Sequence, residues 1–182
     1  MIVQITGSYG SGKSTIVRTL FPLFQGHEDV LSEGRRTPLG HVLGGRIFLL
    51  GNYVNSVTTG GADTIKSLDL VFSTVREQHA LRRDVVMEGI YLLSMPRVAP
   101  LARECPVTIL QLTTSLEDCL AGIMARRAAL GKDTVVDPKH TTTHYKKSLS
   151  FCSKMKFLGV PVEKVTRETG PQRLRELLGV AG

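Results

Sequence analysis

Cysteine is scarce in this sequence. The 182 residues hold three, Cys105, Cys119 and Cys152, widely spaced and odd in number. That pattern excludes a disulfide framework and a cysteine metal site, and makes a reducing, cytoplasmic setting the expectation. No apolar run approaches the roughly 20 residues of a membrane span. The opening stretch MIVQITGSYG has no basic segment followed by a long apolar one, so no secretory signal is expected. Internal repeats, low-complexity tracts and Pro/Ser-rich linkers are also missing. The length therefore suits one domain over residues 1–182, with a basic lid and C-terminal region from about residue 126.

The composition is 42% hydrophobic and 21% charged, ordinary for a globular protein. The net charge of +7 is unevenly placed. Residues 1–125 hold 11 basic and 11 acidic side chains, whereas residues 126–182 hold 12 and 5. A polyanionic partner accounts for such an excess; so does a lid that handles nucleotide phosphates, with the remainder as solvated surface.

Apolar runs alternate with helical periodicity, the pattern of an α/β sheet. Strands are expected at IVQIT (2–6), RIFLLGNY (46–53), DVVMEG (84–89), VTILQLTT (107–114) and VPVEKV (160–165), with a short one near residues 30–32. Helices are expected over 13–21, closed by Pro22, then over 67–82, from Leu116 to Arg126-Arg127, over about 143–158, and from Pro171 onward. Residues 26–45 are Gly-rich and resist assignment, and 131–142 read as an exposed loop.

Gly7-Ser8-Tyr9-Gly10-Ser11-Gly12-Lys13-Ser14 satisfies G-x-x-x-x-G-K-[ST] between a strand and a helix, which is the context that a phosphate-binding P-loop requires. Gly7, Gly10 and Gly12 let backbone N–H groups converge on phosphate oxygens, and the helix start at Ser11 to Thr15 adds partial positive charge. Lys13 is expected to reach the β- and γ-phosphates of ATP, and the Ser14 hydroxyl to ligate Mg²⁺. No Asn/Thr-Lys-x-Asp signature of guanine-specific switches is present, and the chain is short for a motor ATPase. The fold class expected is the three-layer P-loop NTPase fold of the small nucleoside/nucleotide-kinase type: a central parallel sheet, helices on both faces and a mobile lid. Arg126, Arg127 and Lys132 stand where a helix leads into such a lid. There Arg126 would neutralise the moving phosphoryl group and Arg127 the nucleotide phosphates; the other reading is solvated residues at a helix C-terminus.

Glu88 ends the strand DVVMEG, and ligands bind outside the carboxyl ends of parallel strands. It can hold Mg²⁺ through water, take a proton from an attacking hydroxyl, or be an ordinary strand-end acid. A second Gly-rich stretch, GNYVNSVTTGGADTIK at 51–66, follows another strand. Gly60 and Gly61 permit close backbone approach, and Asp63 and Thr64 come next. Asp63 is a candidate acid at the acceptor and equally a candidate helix N-cap. Asn52, Tyr53 and Asn55 supply a ring and two amides, types suited to stacking on a base and reading its polar edge.

Gly51-x-Tyr53 followed by Gly60-Gly61-x-Asp63-Thr64-Ile65, together with the P-loop, resembles the phage 5-hydroxymethyluracil DNA kinases. The resemblance implies an ATP- and Mg²⁺-dependent transfer of phosphate to the hydroxymethyl group of 5-hydroxymethyluracil in double-stranded DNA, in host cytoplasm. It implies that Asp63 meets the substrate hydroxyl and that the base is flipped out to reach the site. An alcohol acceptor has a proton to lose, so either Asp63 or Glu88 would serve it. Lys146, Lys147 and Lys154 would contact backbone phosphates, or form a solvated face. Tyr91, just after Glu88, would line the acceptor pocket or simply pack; Tyr9 has the same two readings. His140 and His144 have metal-pair spacing without an obvious third ligand. The competing expectations are a kinase of a free nucleoside, nucleotide or other small metabolite, and a non-catalytic nucleotide- or DNA-binding module.

Overall fold

The computed structural model describes residues 1–54 and 60–181. Asn55, one of the expected base-reading amides, lies outside them. Among the described residues, seven strands form one sheet: β1 (Ile2–Thr6), β2 (Glu28–Val30), β3 (Gly40–Leu43), β4 (Ile47–Leu50), β5 (Asp84–Glu88), β6 (Val107–Leu112) and β7 (Val162–Val165). Their order is β2-β3-β4-β5-β1-β6-β7. From β4 to β7 every neighbouring pair is parallel, while β3 runs antiparallel to β4 and β2 antiparallel to β3. The sheet is thus mixed and mostly parallel: the expected central parallel sheet, with an antiparallel edge at β2 and β3. The segment Arg46 to Gly44, a tight turn with positive φ at Gly44 and Gly45, joins β3 to β4 as a hairpin.

Period-2 alternation sorts the strands onto two cores. Ile2, Phe48, Leu50, Val85 and Met87 face helices α2 (Leu68–Ala80), α3 (Met95–Glu104) and α5 (Pro138–Phe157). Val3, Ile5, Ile47, Leu49 and Val86 face α1 (Lys13–Arg18) and α6 (Thr169–Leu178). Helix α4 (Leu116–Ala129) packs beside α5. No helix among the described residues is long and apolar enough to cross a membrane.

Local chemistry explains where elements differ from expectation. The first helix stops at Arg18 rather than 21. Pro22 has no N–H to return to residue 18, and the chain tightens into i→i+3 bonds, with Leu20 N bonded to Val17 O and Leu23 N to Leu20 O. Strand β3 and helix α3 escape the sequence reading altogether. The strand is four buried residues without alternation, and the helix carries Pro96 in its first turn and Pro100 inside. Helix α5 starts at Pro138, five residues before the expected start. Asp137 caps it by accepting from Lys139 N at 2.9 Å, so Pro138 opens a helix instead of interrupting a loop. That shift carries His140 and Thr141 onto the helix.

Candidate active site

Strand β1 runs into the P-loop, and β5 lies next to it with Glu88 opposite Ile5. The loop therefore rises over the carboxyl ends of both strands. Gly10 and Gly12 have φ of +70° and +100°, and a Cβ at Gly10 would stand 2.1 Å from the carbonyl oxygen of Cys119, so α4 presses directly on the loop. Lys13 is buried, its ammonium donating to Gly7 O at 3.1 Å and Ser8 O at 2.7 Å. Burial lowers its pKa, against the opposing fields of Glu88 and Asp63.

A cavity of about 610 Å³ opens on this loop. Its P-loop end is lined by Gly10, Gly12, Lys13, Ser14, Thr15 and two arginines, Arg126 from α4 and Arg167 from the turn before α6. Gly7 and Ser11 brace the loop instead: the Gly7 carbonyl accepts from Lys13, and Ser11 Oγ donates to Ser8 O at 2.8 Å. Arg127 does not line the cavity. Its Nε donates to the Asp133 carbonyl and so ties the end of α4 to the following loop, a correction to its expected place on the nucleotide. Arg167 escaped the sequence reading. It donates to Ser11 O at 3.0 Å and Gly10 O at 2.7 Å, and only the pairing of β6 with β7 brings it there.

Glu88 is 2% exposed, and its Oε1 accepts from Ser14 Oγ at 2.7 Å and Tyr53 Oη at 3.3 Å. Burial raises its carboxyl pKa, while Lys13 and the Ser14 hydrogen bond act the other way. It is not a surface strand-end acid.

Asp63 lies in a 3-10 turn, Gly61–Thr64, and its carboxylate accepts from Ile90 N at 3.0 and 3.3 Å. The N-cap of α2 is Ser67, whose Oγ accepts from Leu70 N at 3.2 Å, so Asp63 does not cap that helix. Instead it satisfies the turn after Gly89, where no side chain is available. Although Asp63 stays accessible to solvent, partial desolvation at the cavity wall raises its pKa too, opposed by the Ile90 bond and by Lys13.

The Gly-rich stretch makes this convergence possible. Gly61 has φ +67°, and a Cβ there would stand 2.3 Å from Glu88 O and 2.5 Å from Glu88 Oε1. Only a glycine lets this loop lie across the end of β5 and deliver Asp63 to the cavity. Gly60, Asp63 and Tyr91 line it, joined by Tyr9, Arg18 and Ile90.

Asn52, Tyr53, Gly61 and Thr64 do not line the cavity. Asn52 and Tyr53 are buried, and the Asn52 N–H donates to Thr64 Oγ1 at 3.1 Å. The Tyr53 ring is packed by Arg18, Phe21 and His41, with the Arg18 guanidinium 5.7 Å from its centroid. A stacking role for Tyr53 is therefore corrected to that of a brace for Glu88. His27, Asp29 and His41 gather like a metal site near that brace. His41 Nε2 accepts from Tyr53 N at 3.1 Å, which leaves the proton on Nδ1, 2.7 Å from Asp29 Oδ1. That nitrogen is a donor, and the cluster anchors the loop.

No family model matches the chain. A curated protein of Pseudomonas phage PaMx11, "5-hmdU DNA kinase", is 34% identical over 184 residues, covering 97% of this chain and 96% of that protein. Among solved structures, a chain from the PezAT chromosomal toxin–antitoxin system of Streptococcus pneumoniae is 17% identical, with a TM-score of 0.55 over 92% of this chain and 68% of that one. Deoxyadenosine kinase from M. mycoides, with dCMP and dCDP bound, is 12% identical, with a TM-score of 0.53 over the whole of both chains. These two likenesses carry the fold: the small P-loop kinase architecture.

Proposed function

Since the chain belongs to the family of phage 5-hmdU DNA kinases, we propose that it transfers the γ-phosphate of ATP to the hydroxymethyl oxygen of 5-hydroxymethyluracil in DNA. The observation that carries this reading beyond family membership is the pair of carboxylates on the cavity wall beside the P-loop lysine, buried Glu88 and solvent-accessible Asp63. An acceptor that is already a phosphate needs cations around it; an alcohol has a proton to lose and benefits from a carboxylate.

The two acids divide the work. Ser14 and Glu88 present a hydroxyl and a carboxylate oxygen 2.7 Å apart, the hard-oxygen donor set that suits Mg²⁺, and they would hold it, Glu88 directly or through water. Bound there, Mg²⁺ would neutralise phosphate charge. Glu88 is engaged by Ser14 and Tyr53, which leaves Asp63 as the base for the acceptor hydroxyl. Lys13 and Arg126 stabilise charge on the phosphoryl group, and Arg167 steadies the loop that holds the donor. As the hydroxymethyl oxygen bonds to the γ-phosphorus, the bond from that phosphorus to the β,γ-bridging oxygen breaks. ADP leaves, and the acceptor proton passes to Asp63. A base inside a duplex is out of reach of such a recess, so the acceptor is extruded.

The test offers radiolabelled ATP to 5-hydroxymethyluracil duplex, thymine duplex and free nucleosides side by side. Label on the first alone is expected. Label on free 5-hydroxymethyldeoxyuridine and none on DNA would make the chain a nucleoside kinase.

A further inference from the structure

With Tyr53 buried, two rings reach the cavity: Tyr9 in the P-loop and Tyr91 after β5. Tyr91 is 60% exposed although its neighbours Ile90 and Leu92 are buried. Tyr9 is held from behind. Its ring stacks on His140 with centroids 5.2 Å apart and planes at 24°, and meets His144 edge-on at 4.9 Å. The two imidazoles contact each other at 4.7 Å. Beside them, Ser8 Oγ donates to the Thr141 carbonyl at 3.0 Å. The first two turns of α5 thus clamp the middle of the P-loop. Phosphate binding uses backbone N–H groups and Lys13 and has no need of an oriented ring at position 9. The fields of Asp63 and Tyr91 both act on the Tyr9 hydroxyl, and that of Asp63 reaches His144, so these groups share one region of the molecule.

We infer that Tyr9, fixed by His140 and His144, and Tyr91 form a stacking site for one unpaired pyrimidine of a nucleic acid strand, beside Asp63. The chemistry done on that base rests on the function proposed above; the stacking does not. A ring already oriented by its neighbours loses little freedom when a base settles on it. Stacking on one aromatic ring strengthens single-strand binding by roughly 5- to 150-fold. Lys147, whose charge acts on His144, stands one turn further along α5, where a strand backbone leaving the site would pass.

The test uses the full chain with a non-hydrolysable ATP analogue and two labelled oligonucleotides. One carries 5-hydroxymethyluracil at its centre and the other an abasic site. The parent is expected to bind the first about tenfold more tightly. Tyr9→Leu and Tyr91→Leu should erase that preference, Tyr9→Phe should keep it, and His140→Ala should reduce it about threefold. Affinity for the ATP analogue alone monitors the integrity of the loop in every variant. Equal affinity of the parent for both strands overturns the stacking site, as does a full preference retained by both leucine variants. Label transfer measured in parallel separates the two readings. A parent that prefers the base but phosphorylates nothing keeps the stacking site and loses the acceptor assignment. One that phosphorylates the base yet gains no affinity from it does the reverse.

Discussion

At the scale of single residues, Glu88 sets stability against function. Its carboxyl is buried and its pKa lies above the ordinary 4.5. The folded chain therefore holds this proton more tightly than the unfolded one does. The stabilisation from protonation is present at low pH and is lost as pH rises through the raised value. Glu88→Gln stays neutral and can still accept from Ser14 and Tyr53. Without nucleotide or metal, its Tm at pH 7.5 should exceed the parent's by about 2–4 °C, the shift of a 1 kcal/mol effect in a chain of this size. The excess should shrink toward pH 4. Phosphotransfer should fall about 10²-fold or more. A Tm below the parent's across the range would mean that the ionised carboxylate is net stabilising through Lys13. Asp63 behaves differently, because its side chain also holds the Ile90 N–H. Asp63→Asn retains an acceptor for that bond, so thermal stability should hold while turnover on hydroxymethylated DNA drops about 10²-fold. ATP affinity should change little. Equal loss of stability and turnover would reduce Asp63 to a turn cap. Lys13→Ala should lower kcat/KM by about 10²–10³-fold or more in a folded protein, and retained activity would remove the P-loop from the mechanism.

At the scale of elements, two Gly-rich turns lie back to back. Gly51 has φ +104°, and a Cβ there would stand 2.0 Å from the carbonyl oxygen of Gly61. Gly51→Ala should cost about 3 kcal/mol or more in urea unfolding. Gly26→Ala, at φ +79° with open space around it, should cost only about 1 kcal/mol. Similar losses at both positions would assign the effect to backbone strain alone and not to the contact that seats Asp63. These turns also mark how far sequence reasoning reaches. The P-loop was legible because its spacing is its mechanism, and Glu88 because strand ends in a parallel sheet point at the site. Asp63 was legible as a candidate, but its partner was not, since Ile90 lies 27 residues away and the bond depends on how two loops cross. Tyr53 looked like a free ring. Its burial depends on β3, a four-residue strand that leaves no periodic trace, and on His41 within it. Arg167 carries no local signal at all, because only the order β1-β6-β7 brings it to the loop.

At the scale of the whole molecule, the excess of basic residues beyond position 125 falls largely on α4, α5 and the segments joining them to β7 and α6. Arg126 and Arg167 from this region line the cavity, which accounts for part of the excess as a nucleotide lid would. Helix α5 accounts for another part. Lys146, Lys147 and Lys154 are all exposed, and Lys147 and Lys154, seven residues apart, share one face after about two turns. That helix also holds the two histidines packed on Tyr9, and the charge of Lys147 acts on one of them, His144. If the lysines of α5 neutralise DNA phosphates, each contact releases counterions, and log K falls with log salt by about 0.9 per phosphate on duplex DNA. The double variant Lys146→Gln/Lys147→Gln should therefore flatten the salt slope by about 1.8 while leaving the affinity for ATP unchanged. An unchanged slope would make these lysines a solvated face and move the DNA path to the arginines of the cavity rim. A slope near zero in the parent itself would separate the charge of the last third from DNA binding and leave the acceptor recess to hold its substrate by contacts with the base.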